Sequence, residues 1–284
     1  MLLNHVSMSF RSIVKHRLYS AINIGGLAVG LAVSMLIILF VSHETSFDTV
    51  VSDSERVYRL NWESKDSGAR FATFFNPLST VIADAHPGDV EDLTRITTTE
   101  RLLSIGEDKQ YQVVSFVDPN YFDFFAIGVE SGASATALAN LNDAVLTVAA
   151  AELLFPGQDA IGQSFTLDGT HDFRVTAIVE NNKSNTHQIS NIFVNMEMLP
   201  VIWENPEFWE RNFSDQLYHF MRLADNVDSS AFAAKSHDYL INNVNRDFSE
   251  GIGVHLQPLT DIHFNTELQN EMRVRDTVTG LSKP

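Results

Sequence analysis

Residues Leu18–Val41 read LYSAINIGGLAVGLAVSMLIILFV, 24 positions without a charged side chain. A bilayer core of about 30 Å is crossed by about 20 helical residues, so this stretch is long enough to span. A signal peptide would carry a shorter apolar run of about 7–15 residues and a small-residue exit. Here the run leaves through Val41-Ser42-His43-Glu44, which offers no such site. The reading is an uncleaved membrane anchor over residues 18–42.

The flanks set its direction. Arg11, Lys15 and Arg17 precede the span, and residues 1–42 contain no acid. The chain as a whole carries −17, so residues 43–284 carry −20. By the positive-inside rule the N-terminus is cytoplasmic and the bulk of the chain is exported, which in a Gram-negative cell means into the periplasm. Residues 5–17 place Val6, Phe10, Ile13 and Val14 at helical spacing with bases on another face. They read as an amphipathic segment on lipid, with simple continuation of the spanning helix as the alternative. Within the span, Gly26 and Gly30 form a G-x-x-x-G, and Ala28 and Ala32 a second small pair. Small residues let helices approach closely, so these four are candidates for packing against other membrane helices.

Composition excludes several classes. Of 284 residues, 44% are hydrophobic and 19% charged, enough apolar content to bury a core. Cysteine is absent, which removes disulfides, thiolate metal sites and cysteine nucleophiles. An acidic chain lacks the basic footprint of a nucleic-acid binder.

The exported part reads as α+β. Residues 55–63 alternate as a strand. A helix is expected over about 75–86, between Asn76-Pro77 and His86-Pro87-Gly88. Strand-like runs follow at 93–98, 101–105 and 110–117, then a turn into the aromatic stretch Tyr121–Phe125. Ser131-Gly132-Ala133-Ser134 reads as a linker. Residues 142–155 read as a strand or loop and then a helix. Residues 165–179 read as a hairpin around Asp168-Gly169. Residues 190–199 suggest another strand. Residues 203–213 form an acidic, aromatic connection whose Trp203, Phe208 and Trp209 are candidates for a partner or substrate surface. A strand over 217–223, a helix over 229–244 and a strand over 253–259 repeat the β-α-β pattern of 55–117.

The expected division has five parts: a cytoplasmic segment 1–17, the membrane helix 18–42, a domain of two β-α-β halves over 43–135 and 215–265, an inserted mostly β subdomain over 136–214, and a tail over 266–284.

No motif of catalysis stands out. G-x-x-x-x-G-K-[ST], G-x-S-x-G and H-E-x-x-H do not occur. His171, His187, His219, His237, His255 and His263 show no paired ligand spacing, and no cofactor or metal is expected. Glu204, Glu207 and Glu210 read as a solvated acidic loop.

Several separated stretches, in order, resemble one family. They are SFRSIVKHRLYSAINIGGLAVG (Ser9–Gly30), ETSFD (Glu44–Asp48), ERVYR (Glu55–Arg59), VDPNYF (Val117–Phe122), LFPGQDAIGQ (Leu154–Gln163) and LQPLTDIH (Leu256–His263). Together they resemble the N-terminal part of MacB/FtsX-type ABC transporter permeases. The resemblance implies a periplasmic core domain of porter-like β-α-β halves with an inserted subdomain. It implies partners as well: a cytoplasmic ABC ATPase, a second permease copy, a periplasmic adaptor and an outer-membrane duct. It implies at least four membrane helices, whereas the sequence ends at Pro284 before a second apolar run, so it reads as the first part of such a permease. The expected role is a non-catalytic permease component of an exporter or mechanotransmission complex. Two other classes share this layout: a single-pass anchored sensor or ligand-binding domain, and an anchored hydrolase. The short stretch before the span disfavours the sensor, and the lack of a convergent acid, base or nucleophile disfavours the hydrolase.

Overall fold

The computed structural model describes residues 15–44, 51, 53–133, 136–181, 190–211, 217–262 and 267–271. The chain divides into two compact units, Met1–Ser46 and Phe47–Pro284.

The first unit is built around helix α1, Arg17–Glu44. Its window Arg17–His43 has a mean hydropathy of 2.6, and the helix is long and apolar enough to cross a membrane. At 1.5 Å per residue its length is about 42 Å, more than a hydrocarbon core requires. Its apolar side chains are exposed on every side. The Ser34 hydroxyl donates to the Gly30 carbonyl at 2.8 Å, so the one central hydroxyl is satisfied within the helix.

The second unit is α+β, and its strands form one eleven-stranded sheet. In chain order they are β1 Val57–Ser64, β2 Arg70–Phe71, β3 Val90–Ile105, β4 Asp108–Val117, β5 Val129–Ser131, β6 Asp143–Thr147, β7 Ser164–Leu167, β8 His171–Val179, β9 Ile192–Asn195, β10 Tyr218–Leu223 and β11 Ile252–Pro258. The main path runs β11-β1-β10-β3-β4-β9-β6-β8-β5, with β2 on β1 and β7 on β3 and β8. Three longer helices lie between strands: α2 Asn76–Ala85, α3 Val148–Leu154 and α4 Ser229–Asn243.

Local signals explain most of these elements. Pro77 opens the first turn of α2, where a missing N–H costs nothing, and the helix ends before His86. Asp228 caps α4 by accepting from the Ala231 amide at 2.7 Å. Phe232, Ser236 and Leu240 form the buried stripe of α4 at four-residue spacing. Asp168 and Gly169 both have positive φ, 53° and 73°. Both lie at the centre of a tight turn closed by the Thr170 amide on the Leu167 carbonyl at 3.1 Å, within the three-residue connection that joins β7 to β8.

Two expectations are corrected. The runs 93–98 and 101–105 are one strand, β3, paired without interruption to β4 from Ile96↔Val117 to Ile105↔Asp108. Thr97, Thr98 and Thr99 are β-branched and carry the strand across the expected break. The stretch Ser131–Ala133 is no free linker. Ser131 pairs with Ile178, and a side chain at Gly132 (φ +92°) would sit 2.6 Å from the Thr176 carbonyl oxygen. Ser134 lies outside the described residues.

Three apolar clusters fill the unit. Leu60, Phe74, Phe75, Leu78 and Phe232 join α2 and α4 to β1. Phe116, Phe165, Phe173 and Leu154 sit under α3 and the β7–β8 hairpin. Between them, Phe122 meets Phe193 at 5.3 Å and Phe125 meets Phe220 at 5.2 Å, both edge to face. Each ring fully removed from water contributes about 1.5–3 kcal/mol, with about 1 kcal/mol more from such pairing.

Candidate functional site

Among the described residues Arg59 is the largest fully buried side chain. It stands at the centre of β1, opposite Gln257 of β11. Its guanidinium donates to both carboxylate oxygens of Glu271, one of them at 2.8 Å, and to Gln257 Oε1 at 2.8 Å. Asn61 Nδ2 donates to the same Gln257 oxygen at 3.0 Å. A buried guanidinium is tolerated only with such fork-shaped pairing.

The Glu271 end belongs to a short strap, Glu267–Glu271. The Gln269 amide donates to the Arg70 carbonyl at 2.8 Å, and its carbonyl accepts from the Ala72 amide at 2.9 Å. The Tyr218 hydroxyl donates to the Asn270 carbonyl at 2.7 Å. Burial, reinforced by the Glu271 charge, holds that phenol above its usual pKa, so it remains a donor. Leu268 is buried. Backbone pairing, a buried ion pair and an apolar side chain thus clasp the strap to β1, β2 and β10.

Sequence reading missed this clasp. Val57, Arg59 and Asn61 share one face of β1 by strand alternation. Alternation puts Arg59 on the face opposite Tyr58, Leu60 and Trp62, and nothing local marks it as buried. Its partner lies 212 positions away.

The expected site residues fall elsewhere. Gly26, Gly30, Ala28 and Ala32 all lie on α1, and a side chain at either glycine would meet nothing within 4 Å. At 100° per residue the glycine pair and the alanine pair face opposite sides of the helix. Lys15 and Arg17 lie at its start and are exposed, whereas Arg11 lies outside the described residues. Phe208 is corrected: it is fully buried, not part of a surface. It is held between Trp203 and Trp209 at 5.0 and 4.5 Å, and both tryptophans pack against the same core. The guanidinium of Arg95 lies 4.4 Å from the centre of the Trp209 ring while donating to both oxygens of Asp118. The aromatic residues of 203–209 therefore stabilise the end of the sheet, because their apolar area is worth more buried than displayed.

His219 is fully buried and edge-on to Phe74 at 6.0 Å between ring centres. Burial pushes its imidazole down to about 3, so it is neutral at physiological pH. The Phe74 backbone lies nearby, but neither ring nitrogen reaches hydrogen-bond geometry with any described group. Among the described residues no group of three or more His, Asp or Glu is arranged to hold a metal ion.

The chain thus has two parts: a helix long and apolar enough to cross a membrane, and an α+β sheet unit with a clasped strap. The model of the MacB-like periplasmic core domain matches residues 20–239, and the chain belongs to that family. In fold it is similar to a domain of a proposed permease protein from Porphyromonas gingivalis, with 14% identity over 73% of this chain and 91% of that one, at a TM-score of 0.62. It is similar also to the extracellular domain of the noncanonic ABC-type transporter YknZ from Gram-positive bacteria, with 13% identity over 70% and 98%, at 0.51. The periplasmic region of MacB from Actinobacillus actinomycetemcomitans aligns over 73% and 90% with 11% identity, at 0.49. At these identities the likeness is one of fold. No curated protein matches the chain in sequence.

Proposed function

We propose that the chain is a permease component of an ABC-type exporter or mechanotransmission complex. The observation that carries this reading is the reach of the family match. It begins at Ser20 inside the apolar helix and continues to Tyr239 in α4. Anchor and sheet unit are thus parts of one family pattern, not an accidental pairing.

In this reading α1 crosses the bacterial inner membrane with Arg11, Lys15 and Arg17 on the cytoplasmic side, and the sheet unit is periplasmic. Gly26 with Gly30, and Ala28 with Ala32, contact other membrane helices on two sides of α1. The elements β1-α2-β3 and β10-α4-β11 act as the two porter-like halves. Their interleaved strand order, β11-β1-β10-β3, supports this, because the halves then move as one body. Residues 136–214 serve as the mostly β insertion. The chain performs no chemistry. A cytoplasmic ABC ATPase hydrolyses ATP, and the periplasmic unit converts the resulting helix motion into engagement of substrate or of a periplasmic adaptor. The Arg59–Glu271 clasp transmits force from the strap into β1 and resists peeling, since breaking it would strand a charge in the core.

Affinity capture tests this. The full chain, tagged and extracted in mild detergent, should bring down an ABC ATPase encoded beside it. Capture of the chain with no ATPase bound would contradict the proposal.

A further inference from the structure

The two edges of the sheet differ. At one end β5 is three residues long, too short to template another strand. At the other, β11 is seven residues long and, among the described residues, pairs only with β1. In an antiparallel pair the backbone groups of alternate residues point away from the partner, so β11 presents a row of outward N–H and C=O groups.

Beside that edge runs a cleft of about 430 Å³, between β11 and the first half of α4. Its helical wall is a stripe of small residues, Ser230, Ala233 and Ala234, ending at His237. Residues three, four and seven apart share a helix face, so this wall is continuous. Opposite it, Gly253 has no side chain and Val254 supplies an apolar floor. The space therefore opens between the β11 backbone and α4.

Residues 43–284 carry −20, yet among the described residues no carboxylate lines this cleft, and Lys65 supplies a positive charge beside His237 and His255. Lys65 Nζ is 3.4 Å from His237 Nε2, which lies 3.0 Å from the Ser249 carbonyl. That carbonyl can only accept, so the 3.0 Å contact assigns the proton to Nε2 and leaves His237 no lone pair there for Lys65. The lysine charge is directed at the cleft without an acceptor from its histidine neighbour. His255 lies 3.3 Å from the Glu63 carboxylate, which Arg70 of β2, on the far side of β1, engages at 2.7 Å. An added strand would point alternate side chains toward Lys65 and His237.

We propose that an extended acidic segment of a partner protein docks here as a further strand on β11, its carboxylates facing these bases. Backbone pairing supplies the affinity, and the bases select the charge. This inference goes beyond the permease reading and does not depend on it.

The test uses the full chain in lipid nanodiscs and a fluorescent, capped peptide alternating valine and glutamate. Its valine–lysine counterpart is the control. The acidic peptide should bind at least about five-fold more tightly than the basic one, as charge complementarity selects partners. Hydrogen exchange should slow at β11 amides when it binds. Ala234→Trp fills the cleft from an exposed helix position and should weaken binding about ten-fold. Lys65→Glu should weaken it about three-fold or more. Equal binding of the two peptides, binding indifferent to Ala234→Trp, or β11 amides already protected without peptide would each overturn the proposal.

Discussion

The Arg59 guanidinium and the Glu271 carboxylate form a two-pronged ion pair across 212 positions of sequence, with the arginine side chain 2% exposed and the glutamate 30%. Losing one partner of such a pair leaves an uncompensated charge in the core. Glu271→Ala should lower the unfolding free energy by about 3 kcal/mol, near the low end for buried pairs because the glutamate is partly wet. The pair Arg59→Met with Glu271→Leu removes both charges and should recover most of that loss. Urea denaturation of the full chain in detergent measures both.

His219 makes stability depend on pH. Unfolded, its imidazole titrates near 6.5, and folded it titrates at about 3. Between those values the unfolded state binds the more protons, so stability rises with pH and is lost as pH falls from 6.5 toward 3. The largest slope from this one group is about 1.4 kcal/mol per pH unit. His219→Leu should flatten the stability profile over that window relative to the wild type. Parallel profiles would show that the ring is not held neutral.

Gly132 separates a locked turn from an open one. A methyl group there would lie 2.6 Å from the Thr176 carbonyl oxygen and 2.9 Å from Ala177, at φ +92°. Gly157 also has positive φ, +71°, but open space around it. Both alanine variants carry backbone strain of about 1–2 kcal/mol. Gly132→Ala adds a backbone collision and should cost at least about 2 kcal/mol more than Gly157→Ala in chemical denaturation.

Much of this architecture is legible in local chemistry, and what is not depends on distance. Pro77, Asp168-Gly169 and the stripe through Phe232 and Leu240 act within a few residues, so their helices and hairpin follow from sequence. The continuity of β3 is decided instead by its ten-residue ladder to β4, which holds the three threonines in strand geometry. Phe208 misleads because an aromatic residue in an acidic segment looks displayed. Only the tertiary position of Trp203, Trp209 and Leu199 shows that it is enclosed. Glu271 carries no local signal at all, since only the arrival of the strap beside β2 makes it a partner for Arg59.

The absence of cysteine makes the proposed topology simple to measure. Tyr111 on β4 is 69% exposed, and Lys15 precedes the span. With the sheet unit periplasmic and the N-terminus cytoplasmic, Tyr111→Cys should react with an impermeant maleimide in cells whose outer membrane alone has been opened. Lys15→Cys should react only after the inner membrane is broken. The reverse pattern would invert the orientation drawn from Arg11, Lys15 and Arg17.

The central claim is that this chain is a moving part driven by an ATPase. Its most direct test is the ATP hydrolysis rate of the ABC ATPase encoded beside it, measured in nanodiscs with and without the full chain. The account predicts that the chain binds the ATPase and changes its rate, and that Glu271→Ala leaves binding intact while reducing the change. A rate and a binding signal both indifferent to the chain would contradict the permease reading.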